Sequence, residues 1–159
     1  MIVFRIAPKR HNKKNNALSG VGGHYAEGRW HYQGHRVVYT ASTRSLAMLE
    51  RLVNDTSEIL STDLSVTTIL IPDTIKIVQY SVSELDKGWD VTPYTPVTQE
   101  VGTAWFKSNA SSVLRVPSSL CADEYNYIIN PEHEDVGLIK CVDCQPFSYP
   151  PRLASTLNP

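Results

Sequence analysis

Apolar positions along the chain fall into short alternating runs more often than into helical stripes. Residues 2–6 predict a strand, and residues 8–23 a polar, basic loop containing glycine. Residues 37–41 alternate with a period of two, Val37, Tyr39 and Ala41 toward one face and Val38 and Thr40 toward the other, which predicts a second strand. Ser42 or Thr43 can then cap a helix to about Asn54, with Leu46, Leu49, Leu52 and Val53 as its apolar residues. Residues 64–71 are rich in β-branched side chains and stop at Pro72, and residues 75–80 predict another short strand. Thr95 followed by Pro96 opens a second helix over residues 96–107, because proline at the first helical position gives up no needed N–H. Residues 113–116, 125–129 and 138–142 predict three further strands. Strands outnumber helices and no βαβ unit repeats, so the expected class is α+β, one domain over residues 1–159.

Glu50 departs from the usual pattern of an exposed helical glutamate. Leu46, Leu49 and Val53 stand at i−4, i−1 and i+3 to it, so its carboxylate falls within the apolar stripe. An unpaired charge buried there costs several kcal/mol, of order. The residue is therefore expected at the lip of a cavity, or in an ion pair such as one with Arg29. Residues 27–50 gather Arg29, Tyr39 and Glu50, a cation, a phenol and a carboxylate placed on a loop, a strand and a helix, and this grouping suggests a nucleotide site.

Other motifs are weaker. Gly23 and Gly28 have the spacing of a phosphate-binding loop, but Arg29 and Trp30 stand where lysine and a hydroxyl residue are required, and Tyr25 breaks a dinucleotide fingerprint. Turns or close backbone approach account for these glycines. Cys141 and Cys144 form a CxxC with no second ligand pair for zinc, and on one continuous strand their offset of three sends the thiols to opposite faces. No metal site is expected. Lys9, Arg10, His11, Lys13 and Lys14 make a basic cluster whose plain reading is a solvated loop.

Global composition narrows the function classes. With 159 residues and a formal net charge of −1, the chain can bury a core and has no overall pull toward a polyanion. Neither a carboxylate cluster for metal nor a basic face with interleaved aromatics supports a nuclease. The sequence has no apolar run of spanning length, its first residues lack the order of a signal peptide, and three cysteines are too few for a disulfide framework. These features predict a cytoplasmic protein.

Several motifs occur in a fixed order. They are Phe4-Arg5-Ile6, Gly28-Arg29-Trp30 with Gly34, Val38-Tyr39-Thr40-Ala41-Ser42 and Ala47-Met48-Leu49-Glu50, then Val116-Pro117-Ser118-Ser119. Asn126-Tyr127-Ile128-Ile129-Asn130-Pro131 with His133, and Pro146-Phe147-Ser148-Tyr149 with Pro151-Arg152-Leu153, follow them. In these the chain resembles the RES-domain family, toxins of bacterial toxin–antitoxin pairs named for arginine, glutamate and serine residues. It departs at His31, where the family usually has asparagine, and at Pro150, where an aspartate is common.

The resemblance implies a fold similar to ADP-ribosyltransferase toxins, with two small packed sheets around a cleft for NAD. It further implies cleavage of the nicotinamide–ribose bond by hydrolysis or phosphorolysis, or else transfer of ADP-ribose to a protein. A catalytically idle module that holds a partner is the alternative from another class. Nicotinamide leaves neutral, so the site must stabilise an oxocarbenium-like ribose, a role that fits Glu50. Arg29 suits the pyrophosphate or ribose and Arg5 the phosphates, Tyr39 the nicotinamide ring, and Ser118 the carboxamide or a ribose hydroxyl. Asn126 and His133 are further NAD-binding candidates, and Asn130 before Pro131 is as readily structural. The implied partner is an Xre-type helix-turn-helix antitoxin, which would carry any DNA contact, and a homodimer is compatible with such a complex.

Overall fold

The computed structural model describes residues 1–54 and 63–153. Strands and α-helices follow in the order β1 (Ile2–Pro8), α1 (Val21–Tyr25), β2 (Val38–Ala41), α2 (Arg44–Asn54), β3 (Leu64–Leu70), β4 (Ile77–Gln79), α3 (Pro96–Ser108), β5 (Val113–Pro117), β6 (Tyr125–Ile129) and β7 (Lys140–Phe147). The strands form one mixed sheet in the order β4-β5-β6-β2-β1-β3-β7, where the family resemblance implied two small sheets. All neighbours are antiparallel except β4 and β5, whose parallel pairing needs the long crossover that α3 supplies.

The single sheet nevertheless has a waist. β1 and β2 share one register pair, Phe4 with Ala41, whereas β1 pairs with β3 along all seven of its residues, from Ile2 with Leu70 to Pro8 with Leu64. Continued register would put Ile6 opposite Tyr39 and Ala7 opposite Val38, and those pairs are not made. In their place the Arg5 guanidinium reaches over and its Nη1 donates to the Tyr39 carbonyl at 3.3 Å. The cleft opens at this gap, so a cavity enters a continuous sheet without any second sheet.

Three core clusters hold the halves. Val3, Val38, Ile69, Ile71, Val113 and Ile129 pack on one face of the sheet. Trp30, Val37, Trp105, Leu114, Val116 and Ile128 pack on the other face with α3, while Leu46 and Ala47 of α2 meet Ile6, Ala41, Leu64 and Val66. Thr43 starts α2, its Oγ1 accepting from the Leu46 N–H at 3.0 Å, and Pro96 starts α3 as predicted.

The C-terminal strand was misplaced by periodicity. Residues 134–138 form a 3-10 turn capped by His133, and β7 begins only at Lys140 and runs to Phe147. Its register slips against β3, where Thr68 pairs with Asp143 but Ile69 pairs with Cys141, leaving Val142 as an extra residue. This bulge cancels the odd offset: Cys144 faces with Thr67 and Cys141 with Ile69, so both thiols lie on one face.

On that face Asn12, fully buried, acts as a hub. Its carbonyl accepts from Ser65 Oγ at 2.9 Å, Thr67 Oγ1 at 3.4 Å and Cys144 Sγ at 3.1 Å, and its Nδ2 donates to the Ser65 carbonyl at 2.8 Å. Asn12→Ala takes the side-chain donor from the Ser65 carbonyl and should cost about 1 kcal/mol. Urea denaturation measures the loss, and an unchanged midpoint would show that the loop is pinned by its backbone alone.

Candidate active site

The register of β2 and β6 places the site. Tyr39 pairs with Ile128 and Ala41 with Asn126, so Tyr39 and Asn126 stand on the same face, and α2 packs across that face on β1 and β2. Ser118, just past β5, and Asn126 on β6 both reach Glu50 of α2. Ser118 Oγ donates to Glu50 Oε1 at 3.1 Å and Asn126 Nδ2 donates to the same oxygen at 2.5 Å. Oε2 has no hydrogen-bond partner among the described residues, and Glu50 lines a cleft of about 880 Å³. The carboxylate is fixed through one oxygen and offers the other, which resolves the anomaly of a charge within an apolar stripe.

Arg29 occupies the corner of a tight turn in which Gly28 N–H donates to the His31 carbonyl at 3.1 Å and His31 N–H to the Gly28 carbonyl at 3.3 Å. It makes no ion pair with Glu50. Its Nη1 donates to the carbonyls of Trp89 at 2.7 Å and Val91 at 3.1 Å, and its guanidinium lies 5.9 Å from the Tyr94 ring centroid. Nε and Nη2 have no partner among the described residues, so Arg29 ties down the 89–94 segment and keeps donors for a ligand. Tyr94 lines the cleft too, and burial followed by the Glu27 charge pushes its phenol up.

Arg5 lines the cleft from β1, and its Nε is buried with no partner among the described residues. Desolvation, reinforced by the neighbouring Arg51 cation, pushes the Arg5 guanidinium down to about 10. Two like charges lining one cavity favour an anion between them. Tyr39 is pushed up by burial first, so its phenol stays un-ionised.

Of the other residues proposed from sequence, His133 does not line the cleft. Its Nδ1 accepts from the Asp135 N–H at 3.1 Å, capping the turn before β7. Asn130 is structural as well, its Oδ1 accepting from Glu132 N–H at 2.9 Å and its Nδ2 donating to Asn109 Oδ1 at 3.2 Å. Ser118 acts through Glu50, while its neighbours Ser119 and Leu120 line the wall. Sequence reasoning passed over Arg51 and Tyr94. Arg51 follows Glu50 directly and could have been found by that adjacency, whereas nothing in the periodicity marks Tyr94.

His31 is the further wall residue that sequence reasoning noted only as a departure. It is 3% exposed, with Nδ1 2.9 Å from Tyr39 Oη and Nε2 3.1 Å from the Ala26 carbonyl. Burial, chiefly, pushes its imidazole below the ordinary 6.5; the Ala26 and Gly23 carbonyls and the Glu27 carboxylate pull upward, and His35 adds to the downward push. The neutral ring is the folded form, so its stabilisation is whole above the unfolded value and drains as pH falls through the folded one. Urea midpoints followed from about pH 7 to about pH 5 should fall more steeply for the wild type than for His31→Asn. Parallel slopes would exclude His31 as the source.

Among the described residues, no group of three or more potential ligands could hold a metal, and no helix is long and apolar enough to cross a membrane. A family model described as the RES domain matches residues 2–151. A protein of Sphingobium sp. (strain YBL2) named Prs ADP-ribosylating toxin is 34% identical over 153 residues, covering 94% of each chain. A protein of Yersinia enterocolitica named Toxin Res is 32% identical over 154 residues, covering 96% of this chain and 99% of its own. A chain in the crystal structure of the M. tuberculosis MbcT–MbcA toxin–antitoxin complex shares the fold with a TM-score of 0.76 at 18% identity, covering 98% of this chain and 87% of that one. With the family model spanning nearly its whole length and relatives at about a third identity beside it, the chain belongs to the RES-domain toxin family.

Proposed function

We propose that the cleft binds NAD and breaks the bond between nicotinamide and ribose, and that growth arrest follows from loss of NAD. The observation that carries this reading is the Glu50 carboxylate, held through Oε1 by Ser118 and Asn126 with Oε2 left over, in a cavity that Arg5, Arg29 and Tyr39 also line. In the reaction the C1′–N bond breaks and its electron pair leaves with nicotinamide, whose ring becomes neutral. Positive charge develops on the ribose, and a preorganised carboxylate lowers its energy. A lone pair of the acceptor oxygen then bonds to C1′, and the acceptor's proton goes to solvent. Arg5 and Arg29 supply donors for the pyrophosphate, and the Tyr39 ring packs beside nicotinamide.

The acceptor is water or inorganic phosphate in this reading. The name of the Sphingobium relative favours a second one, in which a side chain of a cellular protein takes the ADP-ribose. The solved toxin–antitoxin complex supports a third element, an antitoxin as the partner of this chain, for which the family resemblance implies a helix-turn-helix protein.

The test is NAD consumption by the purified protein freed of any antitoxin, with products identified by mass in buffers with and without phosphate. Nicotinamide release that needs Glu50 supports the reading, and the mass of the sugar product names the acceptor. Label kept on a protein band, without free sugar product, selects protein modification. No loss of NAD and no labelled protein would leave a partner-binding module.

A further inference from the structure

The hydroxyl of Tyr39 is already engaged within the protein. Its Oη accepts from the Trp30 N–H at 3.0 Å and lies 2.9 Å from His31 Nδ1. The Ala26 carbonyl, 3.1 Å from His31 Nε2, can only accept, so Nε2 carries the imidazole proton and Nδ1 the lone pair. Tyr39 must therefore donate its one proton to Nδ1. The imidazole bridges two neighbouring elements, the backbone around α1 and strand β2.

The surroundings are built to admit this bridge. A Cβ at Gly23 would stand 2.9 Å from His31 Nε2 and 2.6 Å from the His35 carbonyl, and one at Gly28 would stand 2.8 Å from Tyr39 Oη. The turn that carries His31 is seated on α3, where Thr103 Oγ1 accepts from Tyr32 N–H at 3.1 Å and Gln99 Nε2 donates to the His31 carbonyl at 3.4 Å. His31 is thus fixed from both sides, and what it fixes in turn is the phenol.

We infer that His31 is a positioning residue for ligand binding: it clamps the Tyr39 hydroxyl to the backbone around α1, so that the phenol offers its ring face, and not its proton, to an aromatic ring in the cleft. The ring named here, nicotinamide, rests on the proposed function, while the clamp itself does not. A polar residue at position 31 that can accept from the phenol should serve. A residue that only fills the space should not.

A double-mutant cycle on NAD turnover tests the inference. Tyr39→Phe and His31→Leu should each raise KM about tenfold, the worth of one well-made hydrogen bond, with a smaller change in kcat. The losses in the double variant should fall well short of multiplying, because both substitutions remove the Tyr39–His31 bond, while Tyr39→Phe alone also gives up the Trp30 N–H and His31→Leu alone the Ala26 carbonyl. His31→Asn should recover most of the affinity. Losses that multiply in the double variant, or a Tyr39→Phe enzyme that loses kcat at unchanged KM, would overturn the inference. If His31→Leu does not fold, the contrast between Tyr39→Phe and His31→Asn decides it in the same way. Imidazole nitrogen chemical shifts of the wild type report the tautomer with no NAD present, and a proton on Nδ1 refutes the clamp whatever the chain does with NAD. A protein with the Nε2 tautomer that consumes no NAD instead overturns the reading of the cleft, and with it the ligand named here.

Discussion

Glu50→Ala is expected to end NAD cleavage and growth arrest while leaving the fold intact, with turnover lowered by about a hundredfold to a thousandfold. The substitution removes the one cleft carboxylate fixed by two side-chain donors, from Ser118 and Asn126. Glu50 is only half-buried and borders the open cleft at the end of the stripe that Leu46 begins, so thermal unfolding should move little. Glu50→Gln separates charge from shape. Its carbonyl oxygen can still accept from Ser118 and Asn126, so the side chain keeps its place and loses only the charge. If the carboxylate works by stabilising a cationic ribose, Gln should fall nearly as far as Ala. A folded Glu50→Ala protein that still arrests growth and releases nicotinamide would remove Glu50 from the chemistry.

The second large effect concerns stability. A Cβ built at Gly102 lies 1.9 Å from the Trp30 carbonyl oxygen, 2.8 Å from its carbon and 3.1 Å from the Trp30 Cα. All three are backbone atoms, so no rotamer change can relieve the overlap. Alanine would gain up to about 1 kcal/mol of helix propensity over glycine in α3. The overlap should outweigh this, for a net loss of about 3 kcal/mol or more, because either α3 or the turn at residues 28–31 must move. Urea denaturation of Gly102→Ala reads the cost directly. The same displacement shifts Arg29 and His31 on that turn, so NAD turnover should fall even below the unfolding midpoint. A midpoint equal to that of the wild type would mean that the helix can slide off Trp30 freely.

Glu50 and Tyr39 were readable in the sequence because their signals are local. Periodicity put Glu50 on the same stripe as Leu46 and Tyr39 on an alternating strand, and the structure brings both to the cleft. Tyr125–Ile129 appears as a strand with the predicted bounds, and the other predicted strands that stand in the sheet shift at their ends by a few residues. What periodicity could not carry were contacts between distant segments. Arg29 reaches the carbonyls of Trp89 and Val91, some sixty positions away, and no local pattern announces that a cation will spend one nitrogen on a loop. The bulge at Val142 was hidden for a related reason. Register is a property of two strands, and only β3 reveals that β7 has one residue too many. His133 stands outside the cleft and caps its own turn, which a histidine two residues before an aspartate can do without help from the rest of the fold.

The waist between β1 and β2 has a consequence for how such a chain can change over generations. Its cleft opens where two strands stop pairing, so part of its walls is main chain held in place by the rest of the sheet. Wall positions such as Val53 and Leu120, both exposed, can exchange side chains of similar size without moving those walls. Selection is then free to vary the lining on a frame that stays put. A few polar side chains anchored across the sheet, Glu50 foremost, would be the part that mutation cannot touch.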